Sequence, residues 1–172
     1  IGENGLDLAT NLGLDSAPIV KCGNWLGPLL VTAAEAGVKQ LLLFGYHGKL
    51  IKLAGGIFHT HHHLADGRME TLIMLAVKEG ISSDIIRSFI DLDSIEAALK
   101  SLELDHPAIA RNLWRRLVSM VELRSAAYLK NYGSWPMEIG AAIFDRQRRL
   151  RWAGPLGSNQ LSVFGVEADE CS

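Results

Sequence analysis

The stretch from Leu41 to Glu70, LLLFGYHGKLIKLAGGIFHTHHHLADGRME, most constrains what this chain can fold into. An apolar run, Leu41 to Phe44, stops at Gly45, and Gly48, Lys49, Lys52 and the pair Gly55-Gly56 follow. Five of the six histidines lie between His47 and His63, and Asp66, Arg68 and Glu70 close the stretch. A fully apolar strand that ends at a glycine and leads into a helix belongs in a sheet covered on both faces. In open parallel sheets, ligands bind beyond the carboxyl ends of such strands. Gly45 to Lys49 occupies that place, so the chemistry is expected here.

The flanking pattern predicts an α/β fold: a small, mostly parallel sheet built on a βαβ unit. Pro18 to Cys22, with β-branched Ile19 and Val20, reads as a strand. Asn24 is placed to cap a helix over Trp25 to Ala36, with Pro28 in its first turn and Gly37 as its stop. Val38 to Phe44 then reads as the second, parallel strand. A short helix is expected from Lys49 to Ala54, and a loop or irregular turn from Ile57 to Ala65. A helical segment follows from Gly67 to Asn131, the longest helix opening at Asp105-His106-Pro107 with a stripe of Ile109, Leu113, Leu117, Met120, Val121 and Tyr128. Ile139 to Asp145 and Leu150 to Trp152 form a strand–turn–strand across an arginine-rich turn. Residues 1–154 are therefore expected to form one α/β domain and residues 155–172 a loose tail.

At 172 residues and 48% hydrophobic content, one full core is expected. The formal net charge of −2 gives no case for a nucleic-acid partner, and the arginines at 111, 115, 116 and at 146, 148, 149, 151 read as a solvated helix face and a charged hairpin. Cys22 and Cys171 match neither a zinc nor a disulfide framework, so a reducing compartment, the cytoplasm, is expected. No apolar run approaches the ~20 residues of a membrane span. The chain begins at Ile1 rather than Met, and a fragment or processed chain is expected.

The glycines Gly45, Gly48, Gly55 and Gly56 let a ligand approach the backbone, or else merely serve turns. GYHGK is too short for a Walker loop. Lys49 and Lys52, three apart at a helix start, suit a carboxylate-rich or phosphate-bearing ligand, or form a solvated pair. A helical reading of 59–66 puts His59, His62 or His63, and Asp66 on one face, a possible zinc site. An exposed histidine loop and a ligand-facing His61 are the other two readings.

The block GYHGKLIKLAGGIFHTHHHLADGRMETL resembles the signature of the CbiD family, cobalt-precorrin-5B (C1)-methyltransferases of oxygen-independent cobalamin biosynthesis. The matching positions are Gly45, Gly48, Lys49, Leu50, Lys52, Leu53, Ala54, Gly56, Thr60, His61, Ala65, Asp66, Gly67, Arg68, Met69 and Glu70. CGNWLG (Cys22 to Gly27), IGENGL (Ile1 to Leu6) and AIFDRQRRLRWAG resemble further family segments, so the likeness covers about residues 1–154. Tyr46 stands where the family has His, His62 where it has Ser, and the family's N-terminal domain, ahead of IGENGL, is not in this sequence.

The resemblance implies methyl transfer from S-adenosylmethionine to ring carbon C1 of a cobalt-bearing tetrapyrrole, with cobalt belonging to the substrate and no protein metal site. It implies Gly45, Gly48, Lys49, Lys52, Thr60 and Arg68 as substrate-binding residues, the cations meeting acetate and propionate arms, and His61 and Asp66 as catalytic residues for a proton shift. Where S-adenosylmethionine binds is not indicated. A tetrapyrrole is the implied partner, with other cobalamin-pathway enzymes or a second copy of the chain as further ones. A non-catalytic corrinoid-binding module needing the absent domain, and a zinc-dependent hydrolase using His59, His61 and Asp66, are the alternatives.

Overall fold

The computed structural model describes residues 3–168; Ile1, Gly2 and the end 169–172, with Cys171 and the last four residues of the expected loose tail, lie outside the described residues. The elements in order are α1 (Glu3–Asn11), a 3-10 turn (Leu14–Ser16), α2 (Leu26–Glu35), β1 (Gln40–Tyr46), α3 (His47–Ala54), α4 (Arg68–Lys78), α5 (Ser83–Ile90), α6 (Ile95–Asp105), α7 (Pro107–Lys130), β2 (Glu138–Phe144), β3 (Leu150–Ala153) and α8 (Pro155–Ser162). The sheet order is β1-β2-β3. β1 and β2 run parallel, from Gln40 opposite Glu138 to Tyr46 opposite Phe144. β2 and β3 are antiparallel, with a register irregularity at Ile143/Phe144.

The α/β class and the strand–turn–strand are as expected, but the βαβ unit is built differently. Pro18 to Cys22 has no regular secondary structure and joins no ladder, and Ile19, Val20 and Lys21 are exposed. The parallel partner of β1 is β2, so the crossover runs through α3 to α7 rather than α2. Pro18 has no N–H for a ladder, and β-branched residues favour extended backbone whether or not a neighbour is present.

Helices cover both faces of the sheet. α3 and α7 pack on one, within a cluster that includes Leu50, Leu53, Leu113, Leu117, Val121, Ile139 and Ile143. α1 and α8 pack on the other, around Phe44, Phe144, Leu150 and Leu161. α7, with 24 residues, is about 36 Å long. Each fully buried leucine of its stripe contributes roughly 1.5–3 kcal/mol.

Residues 155–162, expected to be loose, instead form α8. Gly154-Pro155 starts it, with Pro at the first helical position where its missing N–H is harmless. Gly157 lies so close to β2 that a Cβ there would sit 2.2 Å from the Ala141 carbonyl oxygen. Glu122 of α7, only 6% exposed, completes the junction. Its Oε1 accepts the N–H of Gly157 at 2.8 Å and of Ala141 at 3.1 Å, and its Oε2 that of Leu156 at 3.2 Å. One side chain thus satisfies the orphan donors at the α8 N-terminus and a β2 amide. Burial pushes its carboxyl above the ordinary value, against the pull of those three N–H groups.

Removing a buried acceptor leaves its donors dry, at roughly 1–3 kcal/mol each. Glu122→Ala should lose about 3 kcal/mol or more of stability in urea unfolding, with Glu122→Gln losing less because it keeps one acceptor oxygen.

Candidate functional site

The candidate site is at the carboxyl end of β1. Tyr46 is the last strand residue and also the N-cap of α3, whose first-turn amides have no partner within the helix. A glycine is required at 48: a Cβ would lie 2.9 Å from the Tyr46 ring and 3.9 Å from Arg68 Nη1. Gly45 is buried in the strand opposite Ile143.

The 22–27 and 57–66 segments interlock beside α3. The Thr60 N–H donates to the Asn24 carbonyl at 3.0 Å, and the Thr60 hydroxyl to Asn24 Oδ1 at 3.2 Å. The Gly27 N–H donates to the Phe58 carbonyl at 3.1 Å, and Trp25 forms a bridge with His59, their rings edge to face at 4.4 Å. Lys49 Nζ reaches the Gly23 carbonyl at 3.4 Å. Asn24 does not cap α2; its side chain is engaged by Thr60 instead. The two sequence blocks are thus halves of one structural unit.

Lys52 holds that unit from beneath. It is 3% exposed, and its Nζ donates to the carbonyls of Ala65 at 2.7 Å and Thr60 at 3.3 Å, with Asp66 at 4.0 Å. Desolvation lowers its pKa, with Asp66 opposing the shift. Asp66 and Arg68 form a bidentate pair, Nε to Oδ1 at 2.5 Å and Nη2 to Oδ2 at 2.9 Å. That bond to Arg68 holds the Asp66 carboxyl below its ordinary value, so it stands ionised. Lys52→Met should unfasten residues 57–66: about 2–4 kcal/mol of stability lost, and faster amide exchange in that loop than in α7.

His47 opens α3 but points inward. It is buried between the Tyr46 ring at 4.0 Å and Trp114 at 5.5 Å, and its Nε2 has no hydrogen-bond partner. Burial, reinforced by Arg146, lowers its pKa to about 4. A folded-state value below the unfolded 6.5 means the unfolded chain binds the extra proton. Stability from His47 is therefore full above pH 6.5 and lost as pH falls towards 4, to a total of about 3 kcal/mol. His47→Phe should flatten the stability profile between pH 6.5 and 4.

Sequence reasoning did not single out Arg146 or Tyr46 as site residues. Arg146, just past β2, donates from Nε to the Tyr46 hydroxyl at 3.1 Å, lies 6.0 Å over its ring and pairs with Glu96. The other hairpin arginines serve structure: Arg149 and Arg151 converge on Asp145, and Arg148 reaches Asp7 of α1. Only the β1–β2 register reveals that Arg146 meets Tyr46, and that register is invisible in the residue pattern.

Lys49, Lys52, Thr60, Asp66 and Arg68 therefore share one neighbourhood, with Lys52 and Thr60 inside it and Lys49 and Arg68 at its face. Residues 61–63 form an outward turn with ring centroids 4.0 to 5.1 Å apart. The His63 N–H donates weakly to His61 Nδ1 at 3.4 Å, which leaves the Nε2–H tautomer of neutral His61 facing outward. Partial desolvation and then the neighbouring histidines lower its pKa. Among the described residues, no three His, Cys, Asp or Glu side chains converge as a metal-ligand set, so the geometry of a zinc site is not met. None of Lys49, Lys52, His61 or Arg68 lines the cavity of about 490 Å³, which lies along the open edge of β1. No helix among the described residues is long and apolar enough to cross a membrane.

This is an α/β domain with Lys49 and Arg68 gathered at the end of its first strand. Residues 59–155 match the family described as "CbiD, C-terminal domain", and the chain belongs to that family. It is 66% identical over 170 residues, 99% of its own length, to a cobalt-precorrin-5B C(1)-methyltransferase of Prochlorococcus marinus strain MIT 9313, of which it covers 44%. The protein of the same name from strain MIT 9303 is likewise 66% identical over 99% of this chain and 44% of that protein. That of Synechococcus sp. strain CC9902 is 58% identical over 93% of this chain and 44% of that protein. The chain thus spans less than half the length of these curated relatives. No solved structure matches it.

Proposed function

We propose that this chain is the tetrapyrrole-holding part of a cobalt-precorrin-5B (C1)-methyltransferase, a cytoplasmic enzyme working beside others of oxygen-independent cobalamin biosynthesis. The observation that carries the reading is the 66% identity over 99% of the chain to proteins of that name. The meeting of its two signature blocks at one strand end adds support.

S-adenosylmethionine supplies a sulfonium-bound methyl group: a carbon–carbon bond forms at C1 of the ring as the sulfur–methyl bond breaks, and the electron pair goes to sulfur. Such a displacement needs alignment more than side-chain chemistry, and alignment is worth up to ~7–11 kcal/mol. Lys49, Arg68 and Arg146 are assigned to the acidic arms of the substrate, as charge-assisted donors. Gly45 and Gly48, both buried, act from beneath by letting the Tyr46 ring settle over the start of α3, and Thr60 fixes the neighbouring loop. Lys52 acts from within, by holding that loop, rather than by meeting an arm. His61 is assigned to the macrocycle through its Nε2–H, which can donate a hydrogen bond there, and it takes up a proton only at Nδ1 once the weak bond from His63 opens. Asp66, ionised and clasped to Arg68, aims that guanidinium.

A charge-assisted hydrogen bond contributes roughly 1.5–3 kcal/mol. Lys49→Ala or Arg68→Ala should therefore weaken binding of the cobalt-bearing precursor roughly 10- to 100-fold, and wild-type affinity should fall as salt rises. Unchanged affinity in both variants would overturn the assignment. A narrower reading, binding without turnover, is favoured by the 44% coverage of the relative. Labelled-methyl transfer by the chain alone, compared with the full-length relative, decides between the two.

A further inference from the structure

The cavity of about 490 Å³ runs along a strand edge rather than between closed walls. It is lined by the consecutive residues Gln40 to Phe44, which point to both faces of the sheet, so the space follows the outer margin of β1. β1 pairs with β2 alone, and no other strand lies beside it among the described residues. The ladder bonds on the β2 side begin with the Lys39 carbonyl accepting the Glu138 N–H. In a parallel ladder alternate residues bond one neighbour, so the N–H and C=O of Gln40 and Leu42 face the open margin.

The rim is apolar. Leu6, Ile19, Val20, Val38 and Val163 line the cavity and are 42%, 41%, 68%, 37% and 77% exposed. They come from α1, the 17–22 strap, the turn before β1 and the end of α8, so apolar groups lie above and below the same edge. A long, apolar, uncovered edge is a template for strand pairing that proteins otherwise blunt or cover. The relatives supply a reason for the gap: this chain accounts for only 44% of their length.

We infer that the open edge of β1 receives a β-strand from the part of the longer family protein outside this chain. That strand pairs with the backbone of Gln40 and Leu42 and extends the sheet to four strands. Its side chains are apolar on both faces, one set meeting Leu6 and Val163 and the other Val38. The strap at Ile19 and Val20 closes over it. The edge is thereby an internal seam of the longer protein, and the inference does not depend on which reaction that protein performs.

The test compares this chain alone with a chimera in which it replaces the matching stretch of the full-length MIT 9313 relative. Hydrogen exchange is read on peptides covering residues 38–44. Exchange in the chimera should be at least about tenfold slower. The double variant Ile19→Asp, Val20→Asp, at exposed positions, should leave the melting temperature of the isolated chain within about 2 °C of wild type. The same change should lower that of the chimera and restore fast exchange at 38–44. Equal exchange in chain and chimera overturns the inference. So does a chimera indifferent to the double variant, or an edge protected only in a concentration-dependent dimer of the isolated chain.

Discussion

Parallel pairing of β1 with β2 is the constraint from which the rest of the molecule follows. Parallel neighbours cannot be joined by a tight turn, so everything between Tyr46 and Glu138 must travel back across the sheet. The chain makes that return through five helices, and α7 lies against α3, β2 and β3. The pairing also sets Tyr46 beside Phe144, and hence the start of α3 beside the hairpin that carries Arg146. Glu122 fastens the far side: a carboxylate on the crossover helix bonds β2 and the first turn of α8 together.

Within that frame, the loop over the site is anchored by Phe58, which is buried in the core and stacked on Tyr128, and its polar groups are fastened from both sides. A buried ammonium without partners is very unfavourable, whereas one that donates to two carbonyls orders the backbone carrying them. Lys52 does this for Thr60 and Ala65, Asn24 holds the loop from the other side through Thr60, and Lys49 ties α3 to the Gly23 carbonyl. Asp66 and Arg68 then emerge in a fixed relation at the surface. Glycine at 48 leaves room for the Tyr46 ring against the helix start.

The helical segment was legible in the residues, above all α7, whose apolar stripe and opening Pro107 mark it; α6 carries its own start, Ser94 accepting from the Ala97 N–H. β1, β2 and β3 were legible as apolar runs. The strap at 18–22 was not, because an extended β-branched segment looks the same paired or alone, and pairing is decided by distant residues. α8 was missed because Gly157 and Gln160, two of its three buried residues, form no apolar stripe. That Lys49, Lys52, Thr60, Asp66 and Arg68 lie near one another could be read from their closeness in sequence around a strand end. The inward turn of Lys52 and the Tyr46–Arg146 contact, 100 residues apart, depend on loop closure and register.

The separation between Gln40 and its partner Glu138, 98 residues along the chain, has a consequence for biogenesis. At roughly 5–20 residues per second, a ribosome exposes β1 for about 5–20 seconds before β2 exists. During that interval the margin of β1 that later meets β2 lacks a mate, in a segment with three consecutive leucines. Nascent-chain chaperones therefore have a defined window and a defined target in this protein. Slowing of translation between α3 and β2 lengthens the window and favours adhesion between neighbouring nascent chains on one messenger.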